Sequence, residues 1–410
     1  MTRRLVPLAE VCEINPRLPR DHGLAEDTPV SFVPMAAVDE VSGNIRDEQQ
    51  RVFREVRKGY TSFREDDVLF AKITPCMENG KSAIARNLLN GIGFGSTEFH
   101  VLRPKAGVLP ELIYYFVRRE SFRWEAKRNF TGTAGQQRVP ATFLANALIP
   151  IPPIEEQRRI VDLLSRAEGI IRLRREAQKK ATEIIPALFL EMFGDPATNP
   201  KGWDVRSLGD LLAEAPVLGT MVKPSTLKAA WLDLRVANIQ NGELRLDDKK
   251  WLELQPDMIN RFALRAGDLL LARAIGSLDH LGKTVIVEPD GNWTFDSHLM
   301  RLRLDETRIL PVFLKAFFES QSGRDEFLKH TRRSAVQFNI NGKEIRRLRI
   351  PLPSVARQKR FANRCRDVQA LNVQQADALN KAESIFAGLL GGVFSRQEQV
   401  GSVALVETTN

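Results

Sequence analysis

The sequence has few cysteines and no long hydrophobic run. Its three cysteines, Cys12, Cys76 and Cys365, lie far apart and form no Cys-x-x-Cys pair. A disulfide framework and a structural zinc site are therefore not expected, whereas a reducing compartment is. Nowhere do about 18 apolar residues follow one another, so no transmembrane helix is predicted. Residues 1–7 are not followed by the apolar run of a signal peptide, and we therefore expect a cytoplasmic protein.

Catalytic motifs are also missing. The chain contains no Asn/Asp-Pro-Pro-aromatic motif of an amino-methyltransferase, no Gly-x-Gly-x-x-Gly, no P-loop and no His-Glu-x-x-His. Its five histidines show no metal-ligand spacing. Scattered acidic residues leave a nuclease site open as an alternative, although no motif supports one. We therefore expect no catalytic residue, no bound metal and no cofactor in this chain.

Basic residues outnumber acidic ones. Lys and Arg together number 60 and Asp and Glu 51, which gives a net charge of +9. Such an excess fits a polyanionic partner such as nucleic acid. Many soluble surfaces carry as much charge, so charge alone leaves both interpretations open.

The most informative feature is an internal repeat with an offset of 201 residues. Near the start of the chain, Leu8–Val11 lies over Leu208–Leu211 with an offset of 200, as a one-residue loop insertion would give. A period this long indicates a duplicated module and not a solenoid unit. The segments that share the offset of 201 are Asp67–Lys72 over Asp268–Arg273, Leu109–Pro110 over Leu310–Pro311, Ile149–Pro152 over Ile350–Pro353, and Gln157–Ile160 over Gln358–Phe361.

Each copy of the module consists of a globular part followed by a helical segment. Short apolar runs after Asp67 and Asp268 predict buried strands, and Thr284–Val287 is rich in β-branched residues. Glu111–Val117 follows a proline, Pro311–Phe318 begins with one, and both are typical of helix starts. The mixture predicts two similar domains of the α+β class. The predicted domains are 1–152 and 194–353, with helical spacers at 153–193 and 354–394 and a disordered tail at 395–410.

Apolar residues at heptad spacing mark both helical segments. In the first segment the stripe passes through Leu163, Ala167 and Ile170 and continues to Leu188, and a similar stripe recurs 201 residues later. This spacing is typical of a coiled-coil seam. We favour two long helices that pair as an antiparallel coiled coil and give a pseudo-twofold molecule. In the alternative, each helix packs only on its own domain. Pro186 should kink the first helix or end it early.

Two polar, basic segments in each domain are candidates for contact with nucleic acid. The first follows the buried strand, as 72–81 in the first domain and 273–283 in the second. Each begins and ends with a cation that can bind a phosphate, and small or polar residues between them can meet base edges. A solvated hairpin is the equally weighted alternative. The candidate residues are Lys72, Thr74, Glu78, Asn79, Lys81, Arg273, Ser277 and Lys283.

The second candidate segment precedes the proline-rich end of each domain, as 128–138 and 329–339. Glutamine can pair with adenine through two hydrogen bonds, and arginine with guanine. Basic residues concentrate in this part of the second domain, so we favour DNA contact over a solvated face; they are Arg332, Arg333, Lys343, Arg346 and Arg347. Two similar domains on a helical spacer suit a bipartite target, with one half-site for each domain. The candidate residues are Arg128, Gln136, Gln137, Arg138, Arg332, Arg333 and Gln337.

Several motifs resemble the specificity subunits of type I restriction–modification systems. They are 73–81, 136–139, the Pro-Pro-x-Glu-Glu-Gln run that ends at Gln157, and Met192–Pro196. The Pro-Pro-x-Glu-Glu-Gln run is the most specific of them, and the resemblance covers nearly the whole chain. It implies two target-recognition domains that bind an asymmetric bipartite site in double-stranded DNA, with the helices as spacers.

The resemblance also implies partners that carry the catalysis. A modification subunit, usually in two copies, would bind S-adenosylmethionine and methylate adenine N6. A restriction subunit that hydrolyses ATP joins some of these systems. The chain itself would be non-catalytic. One departure from the family is that the second helix begins Pro353–Gln358 without the Glu-Glu-Gln run, which leaves the equivalence of the two partner-docking surfaces open.

Two other functions compete with the DNA-recognition hypothesis. A self-sufficient modification or cleavage enzyme needs a methyltransferase or nuclease motif, which the sequence lacks. A coiled-coil scaffold with sequence-independent DNA binding explains the helices, but it leaves the duplicated domains and their polar segments unexplained.

The pseudo-symmetry yields a prediction for Gln136→Ala. The substitution should relax base preference in one half-site and leave the other unchanged, because each domain reads its own half-site. Selection of bound sequences from a random library would measure both preferences. Equal relaxation of both half-sites would contradict a model with two independent domains.

Overall fold

The computed structural model of the 410-residue chain describes residues 4–19, 22–133, 136–240, 242–275, 281–333 and 338–394. For residues 275 and 333 it describes the backbone only. The predicted tail at 395–410 lies outside these ranges. The chain divides into two compact units: unit 1 contains Met1–Glu176 and Asp377–Asn410, and unit 2 contains Ala177–Ala376. Each unit therefore includes part of both helical segments.

The first part of the chain alternates short strands with helices. Four short 3₁₀ helices occur in the described chain, at Met35–Ala37, Leu89–Gly91, Leu208–Leu211 and Val236–Asn238. The strands are β1 (Arg4–Pro7), β2 (Cys12–Ile14), β3 (Pro29–Val33), β4 (Gln49–Val52), β5 (Thr61–Arg64), β6 (Val68–Ala71), β7 (Ser82–Ile84), β8 (Ile92–Gly95), β9 (Phe99–Pro104) and β10 (Leu148–Ile151). The helices are α1 (Leu8–Val11), α2 (Phe53–Val56), α3 (Pro110–Arg118), α4 (Glu120–Arg128), α5 (Ala141–Asn146), α6 (Ile154–Thr182) and α7 (Ile184–Phe193).

The second part repeats this pattern. Its strands are β11 (Asp204–Ser207), β12 (Val217–Leu218), β13 (Trp231–Leu234), β14 (Ile239–Gln240), β15 (Glu243–Leu244), β16 (Trp251–Leu252), β17 (Leu269–Ala272), β18 (Ala274–Ile275), β19 (Thr284–Ile286), β20 (Trp293–Phe295), β21 (Leu299–Leu302), β22 (Arg332–Arg333), β23 (Phe338–Asn339) and β24 (Arg349–Leu352). Its helices are α8 (Pro256–Phe262), α9 (Pro311–Glu319), α10 (Gln321–Lys329), α11 (Gly342–Ile345) and α12 (Val355–Phe394).

The two units contain matching sheets, so the predicted repeat and the α+β class are confirmed. Unit 1 has a four-stranded sheet in the order β2-β9-β6-β7, and unit 2 has the order β12-β21-β17-β19. Each unit also has one parallel pair, β3 with β8 and β13 with β20. A two-stranded antiparallel pair precedes the long helix in each, β1 with β10 and β11 with β24.

A buried ion pair precedes the central strand of each four-stranded sheet. Asp67, before β6, is 1% exposed and accepts two hydrogen bonds from the guanidinium of Arg103 at 2.8 and 2.7 Å. Asp268, before β17, makes the same pair with Arg303, with two bonds of 2.7 Å. A buried carboxylate is tolerated only when it is paired and hydrogen-bonded. The ion pair therefore joins the start of β6 to β9, and the start of β17 to the end of β21. All four residues of β6 and of β17 are buried.

The core of each unit includes residues from both helical segments. In unit 1, Leu164 of α6 and Phe394 of α12 join the cluster that contains Phe116 and Phe122. In unit 2 the corresponding cluster takes aromatic residues from α7 and α12, which pack on α9. Its ring contacts include Phe189–Phe313, Phe193–Phe313 and Phe193–Phe361, with centroids 5.7, 5.0 and 5.2 Å apart.

The helices of unit 1 run antiparallel, as predicted. Arg175 of α6 forms a 2.6 Å ion pair with Glu383 of α12. Ile160, near the start of α6, shares a core cluster with Phe394 at the end of α12. Residue numbers therefore rise along one helix as they fall along the other. The interruption predicted from Pro186 is also present, because α6 ends at Thr182 and α7 begins at Ile184.

The predicted register of the helical seam is wrong in the first part of α6, whereas the predicted seam residue Ala181 is buried. Leu163 and Ile170, placed in the seam by the heptad pattern, are 46% and 50% exposed. The buried apolar residues in this part of α6 are Ile160, Leu164 and Ile171, which are 5%, 0% and 5% exposed. The reason is that the start of α6 packs on its own domain as well as on α12, so the buried stripe turns toward the domain core. Both packing modes considered from the sequence therefore operate in the same helix.

A buried glutamine fastens the start of the first long helix to its domain. The Gln157 side chain is 1% exposed. Its Nε2 donates to the carbonyl oxygens of Gly107 at 3.0 Å and Pro152 at 2.9 Å. Its Oε1 accepts from the backbone N–H of Leu109 at 3.0 Å. One side chain thus satisfies three backbone groups next to α3 and at the entrance to α6.

Gln358 makes the same three bonds at the start of α12. It donates to the carbonyl oxygens of Arg308 and Pro353 at 3.1 and 2.8 Å, and accepts from the N–H of Leu310 at 2.8 Å. The glutamine of the Glu-Glu-Gln run is therefore structurally equivalent in both copies. Of the Glu-Glu-Gln run, the second copy lacks only the two glutamates, which in the first copy are the exposed Glu155 and the half-buried Glu156.

The parallel pair of unit 2 contains a buried carboxyl group. Asp233 of β13 is 1% exposed and lies opposite Thr294 of β20. Within the described chain, neither Asp233 oxygen nor the Thr294 hydroxyl has a hydrogen-bond partner. Burial, followed by the charge of Asp296, raises the pKa of Asp233 to about 7. The corresponding pair in unit 1 is Phe32 opposite Phe94, so the polar pair belongs to unit 2 only.

We predict that Asp233→Asn stabilises the protein more at pH 8 than at pH 5. The carboxyl has an ordinary pKa of 3.8 and a folded pKa of about 7, so the folded state binds more protons between these values. Its favourable contribution is present at low pH and is lost as pH rises through about 7. Urea unfolding should show the advantage of the variant growing by at most about 1.4 kcal/mol per pH unit. An advantage independent of pH would contradict a buried, unpartnered carboxyl.

Candidate nucleic-acid interface

The first predicted contact segment of unit 1 is a compact turn that follows β6. The N–H of Met77 donates to the carbonyl oxygen of Ile73 at 2.9 Å, and that of Lys81 donates to the carbonyl oxygen of Cys76 at 3.1 Å. Gly80 lies at φ +82°, where a β-carbon would come within 3.0 Å of the Arg123 guanidinium. The backbone conformation and the close approach both favour glycine at this position.

The structure brings the two predicted segments of unit 1 together. The N–H of Thr74 donates to the carbonyl oxygen of Gln137 at 3.1 Å, and the N–H of Val139 donates to that of Lys72 at 2.9 Å. An isolated antiparallel bridge joins Ile73 to Arg138. Segments about sixty residues apart in sequence therefore form one continuous surface, which we call surface 1 (residues 72–81 and 128–138 as far as described).

Unit 2 joins its two segments in the same way. The N–H of Ile340 donates to the carbonyl oxygen of Arg273 at 3.0 Å, as Val139 does to Lys72. Strand β18 pairs with β23, and β23 pairs with β22, so that Arg332 lies opposite Asn339. We call this surface 2 (residues 273–283 and 329–339 as far as described). Ser277, Gln337 and the side chain of Arg333, which the sequence predicted here, lie outside the described residues.

Ion pairs order the acidic and basic side chains of surface 1. Glu78 forms a 2.5 Å ion pair with Lys127 and accepts a hydrogen bond from the Thr74 hydroxyl. These two contacts lower the pKa of Glu78. Asn79 donates to Glu40 and Lys81 donates to the carbonyl oxygen of Met35, both at 3.3 Å.

Arg138 is held in a fixed orientation by Glu98. The Arg138 Nε and Nη2 donate to the two oxygens of Glu98 at 2.9 and 2.8 Å, and Nη1 donates to the carbonyl oxygen of Gln136 at 2.9 Å. The hydrogen bonds from Arg138 lower the pKa of Glu98. The Gln136 side chain is exposed. Arg138 therefore holds the backbone beside an exposed glutamine.

Cations on surface 2 are bound differently. Nε of Arg273 donates to the carbonyl oxygen of Ser297 at 3.0 Å, and burial lowers the pKa of this half-buried guanidinium. Arg332 is 70% exposed and pairs with the buried Glu344 at 2.6 Å. Lys283 is half-buried.

On surface 1, Arg128 is exposed and lies over the ring of Trp124, with its guanidinium carbon 4.7 Å from the ring centroid.

Sequence reasoning missed the arginines that hold the first segment of each surface. Nη1 of Arg123 in α4 donates to the carbonyl oxygen of Glu78 at 2.6 Å. Nη1 of Arg324 in α10 donates to the carbonyl oxygen of Leu281 at 3.1 Å. These arginines are separated by the repeat offset of 201, so an extended comparison of the two copies could have identified them. Glu98 gave no comparable signal.

Within the described ranges, no group of three or more His, Cys, Asp or Glu side chains is arranged to hold a metal ion. A search of the same residues finds no helix with the length and hydrophobicity needed to span a bilayer.

We predict that Arg138 and Glu98 act as one unit in DNA binding. Arg138→Ala and Glu98→Ala should each weaken binding by a similar factor, roughly tenfold, because each releases the same segment. The double variant should bind about as well as the weaker single variant. Fluorescence anisotropy with a target duplex would measure all four affinities. Tighter binding by Glu98→Ala would instead mean that the carboxylate competes with DNA for Arg138.

Comparisons with known proteins agree with this architecture. Residues 4–183 match the family described as Type I restriction modification DNA specificity domain. The chain is 38% identical over 156 residues to the type I restriction enzyme EcoAI specificity subunit of Escherichia coli, which covers 38% of this chain and 26% of that protein. A second relative, the EcoEI specificity subunit of Escherichia coli, is 38% identical, and the match spans 27% of its length. The chain thus spans about a quarter of these two relatives.

Two further comparisons extend over most of the chain. The type I restriction enzyme EcoKI specificity subunit of Escherichia coli K12 is 26% identical over 336 residues, which covers 76% of this chain and 71% of that protein. A solved chain from work on complex assembly and conformational transition of the type I R-M system has a TM-score of 0.65 at 22% identity, covering 95% of this chain and 97% of that one. The latter likeness concerns the fold. Residues 4–183 therefore match the type I restriction modification DNA specificity domain, and the resemblance of the chain to type I specificity subunits is confirmed.

Proposed function

We propose that this chain is the DNA-recognition subunit of a type I restriction–modification enzyme and has no catalytic centre. The observation that carries the proposal is that both units join two polar, basic segments by equivalent backbone hydrogen bonds, from Val139 to Lys72 and from Ile340 to Arg273. A duplicated surface of this kind suits a target with two half-sites. Its cations can bind phosphates and its amides and hydroxyls can meet base edges.

The two half-sites should differ in sequence. Surface 1 presents Gln136 beside the Arg138–Glu98 pair, whereas surface 2 presents Arg332 beside Glu344. Glutamine favours adenine and arginine favours guanine in the major groove. Different side chains on the same scaffold support an asymmetric bipartite site.

The catalytic work belongs to partner subunits in this proposal. A modification subunit, in two copies, binds S-adenosylmethionine and methylates adenine. A restriction subunit, where the system has one, hydrolyses ATP. The complex acts on cellular DNA, which places it in the cytoplasm.

Exposed apolar residues on the long helices support docking of a partner protein. Leu163, Ile170 and Leu173 on α6 are 46%, 50% and 60% exposed, and Ile385 on α12 is 62% exposed. These four residues belong to unit 1. Apolar side chains clustered on exposed helix faces are typical of protein interfaces.

The test is to map methylated adenine in genomic DNA with and without this gene, in a host that carries the neighbouring methyltransferase. We expect a split motif with a fixed gap only when the gene is present. A methylation pattern independent of the gene would overturn the proposal. Methyl transfer by the purified chain alone would also overturn it.

A double variant separates DNA recognition from docking of the partner protein. Leu163→Asp combined with Ile170→Asp places charges on the exposed helix face without touching either surface. This variant should abolish methylation in the host while the purified chain still binds its target duplex. Loss of DNA binding together with methylation would show that this helix face does not act through the partner.

A further inference from the structure

Unit 2 has a group of exposed cations that unit 1 lacks. We call Lys343, Arg346, Arg347 and Arg349 the α11 cations, since they lie on α11, on the short segment that connects it to β24, and at the start of β24. All four are exposed. The residues at the equivalent positions of unit 1, 201 earlier, carry no charge; they are Thr142, Ala145, Asn146 and Leu148.

Three of these cations line an open cleft within unit 2. Lys343, Arg346 and Arg347 form one side, and the 3₁₀ helix at Leu208–Leu211 and the segment at Pro216 form the other. The N–H of Gly209 donates to the carbonyl oxygen of Arg346 at 2.8 Å. A β-carbon at Gly209 would come within 3.1 Å of the Arg346 side chain. Glycine here lets Arg346 lie close against the opposite wall.

The acidic residues nearby do not neutralise the cluster. The buried Glu344 pairs with Arg332 at 2.6 Å and with Arg347 at 3.7 Å. Asp210, also on the cleft, accepts a hydrogen bond from Ser207 at 2.7 Å. The cations therefore outnumber the acids in the cleft.

The same Glu344 connects the cleft to surface 2. Its carboxylate contacts Arg332, on the edge of surface 2, and Arg347, on the cleft. The N–H groups of Lys343 and Glu344 both donate to the Asn341 side chain at 2.9 Å. Asn341 follows β23 by two residues, so the start of α11 is set by the strand that builds surface 2.

We infer that the α11 cations bind DNA phosphates next to the half-site read by unit 2, and that unit 1 has no such anchor at the equivalent position. This inference rests on the proposed function. A polyanion is favoured because the cations are exposed and continuous with a surface already proposed to contact DNA. Cations that bind phosphates add affinity and salt dependence without adding base preference. The anchor therefore makes the two half-sites unequal in strength.

The test exchanges the α11 cations for the residues of unit 1. The variant carries Lys343→Thr, Arg346→Ala, Arg347→Asn and Arg349→Leu, and fluorescence anisotropy with a duplex that carries the mapped target gives its affinity over a range of salt concentrations. Each lost phosphate contact should reduce the slope of log K against log salt by about 0.9. We expect the slope to become shallower by roughly 2 to 4 and affinity at low salt to fall at least about tenfold. The preferred bases of both half-sites should not change.

A matched control removes four exposed cations from helix α12 in the same unit. It carries Lys359→Gln, Arg360→Gln, Arg364→Gln and Arg366→Gln, which are all exposed. The control should keep the original salt slope. An equal loss of slope in the control would show a general charge effect and would overturn the inference. If the fourfold variant fails to fold, Lys343→Thr with Arg349→Leu gives the same test with about half the change in slope.

Failure of the inference is distinguishable from failure of the proposed function. A wild-type chain without sequence-selective DNA binding would overturn the proposed function. Selective binding with an unchanged slope in the fourfold variant would overturn only the anchor. Unchanged DNA binding with loss of methylation in the host would show that the α11 cations contact an acidic protein surface instead.

Discussion

The anchoring of each long helix by one buried glutamine is the constraint on which the remaining structure depends. Gln157 and Gln358 each satisfy three backbone groups. One lies just after the proline-rich strand, and the other two lie just before α3 in the first copy and before α9 in the second. A carboxamide is suited to this task because it both donates and accepts while carrying no charge that burial would penalise. Each glutamine thereby fixes the direction of its long helix relative to the two-stranded sheet that precedes the helix, β1 with β10 or β11 with β24.

Each domain core is incomplete without residues from the helical segment that belongs to the other copy of the repeat. Leu390 and Phe394 of α12 complete the core of unit 1, and Phe189 and Phe193 of the central segment complete that of unit 2. Burying such side chains contributes about 1.5 to 3 kcal/mol each, which explains why the helices pair antiparallel within unit 1. The repeat of the sequence therefore produces two units, each of which draws on both helical segments.

The two surfaces differ in how their charges are used. In unit 1, Glu78 and Glu98 bind neighbouring cations and order the backbone that carries Gln136. In unit 2, the buried Glu344 joins Arg332 to Arg347, and the exposed cations continue onto α11 and the start of β24. A common scaffold thus supports a surface of ordered polar groups in one unit and a more basic one in the other.

Patterns within the sequence were enough to predict the repeat, the α+β class and the helical segments with their interruption near Pro186. These features depend on local periodicity, proline chemistry and a register shared by two copies, all of which a single chain displays. The register of the helical seam required the folded chain, because Leu163 and Leu164 are equally apolar and only packing on the domain core selects Leu164 for burial. The inward orientation of Gln157 and the pairing of Glu98 with Arg138 required it as well, since these partners lie far apart in sequence and meet only when the strands fold together.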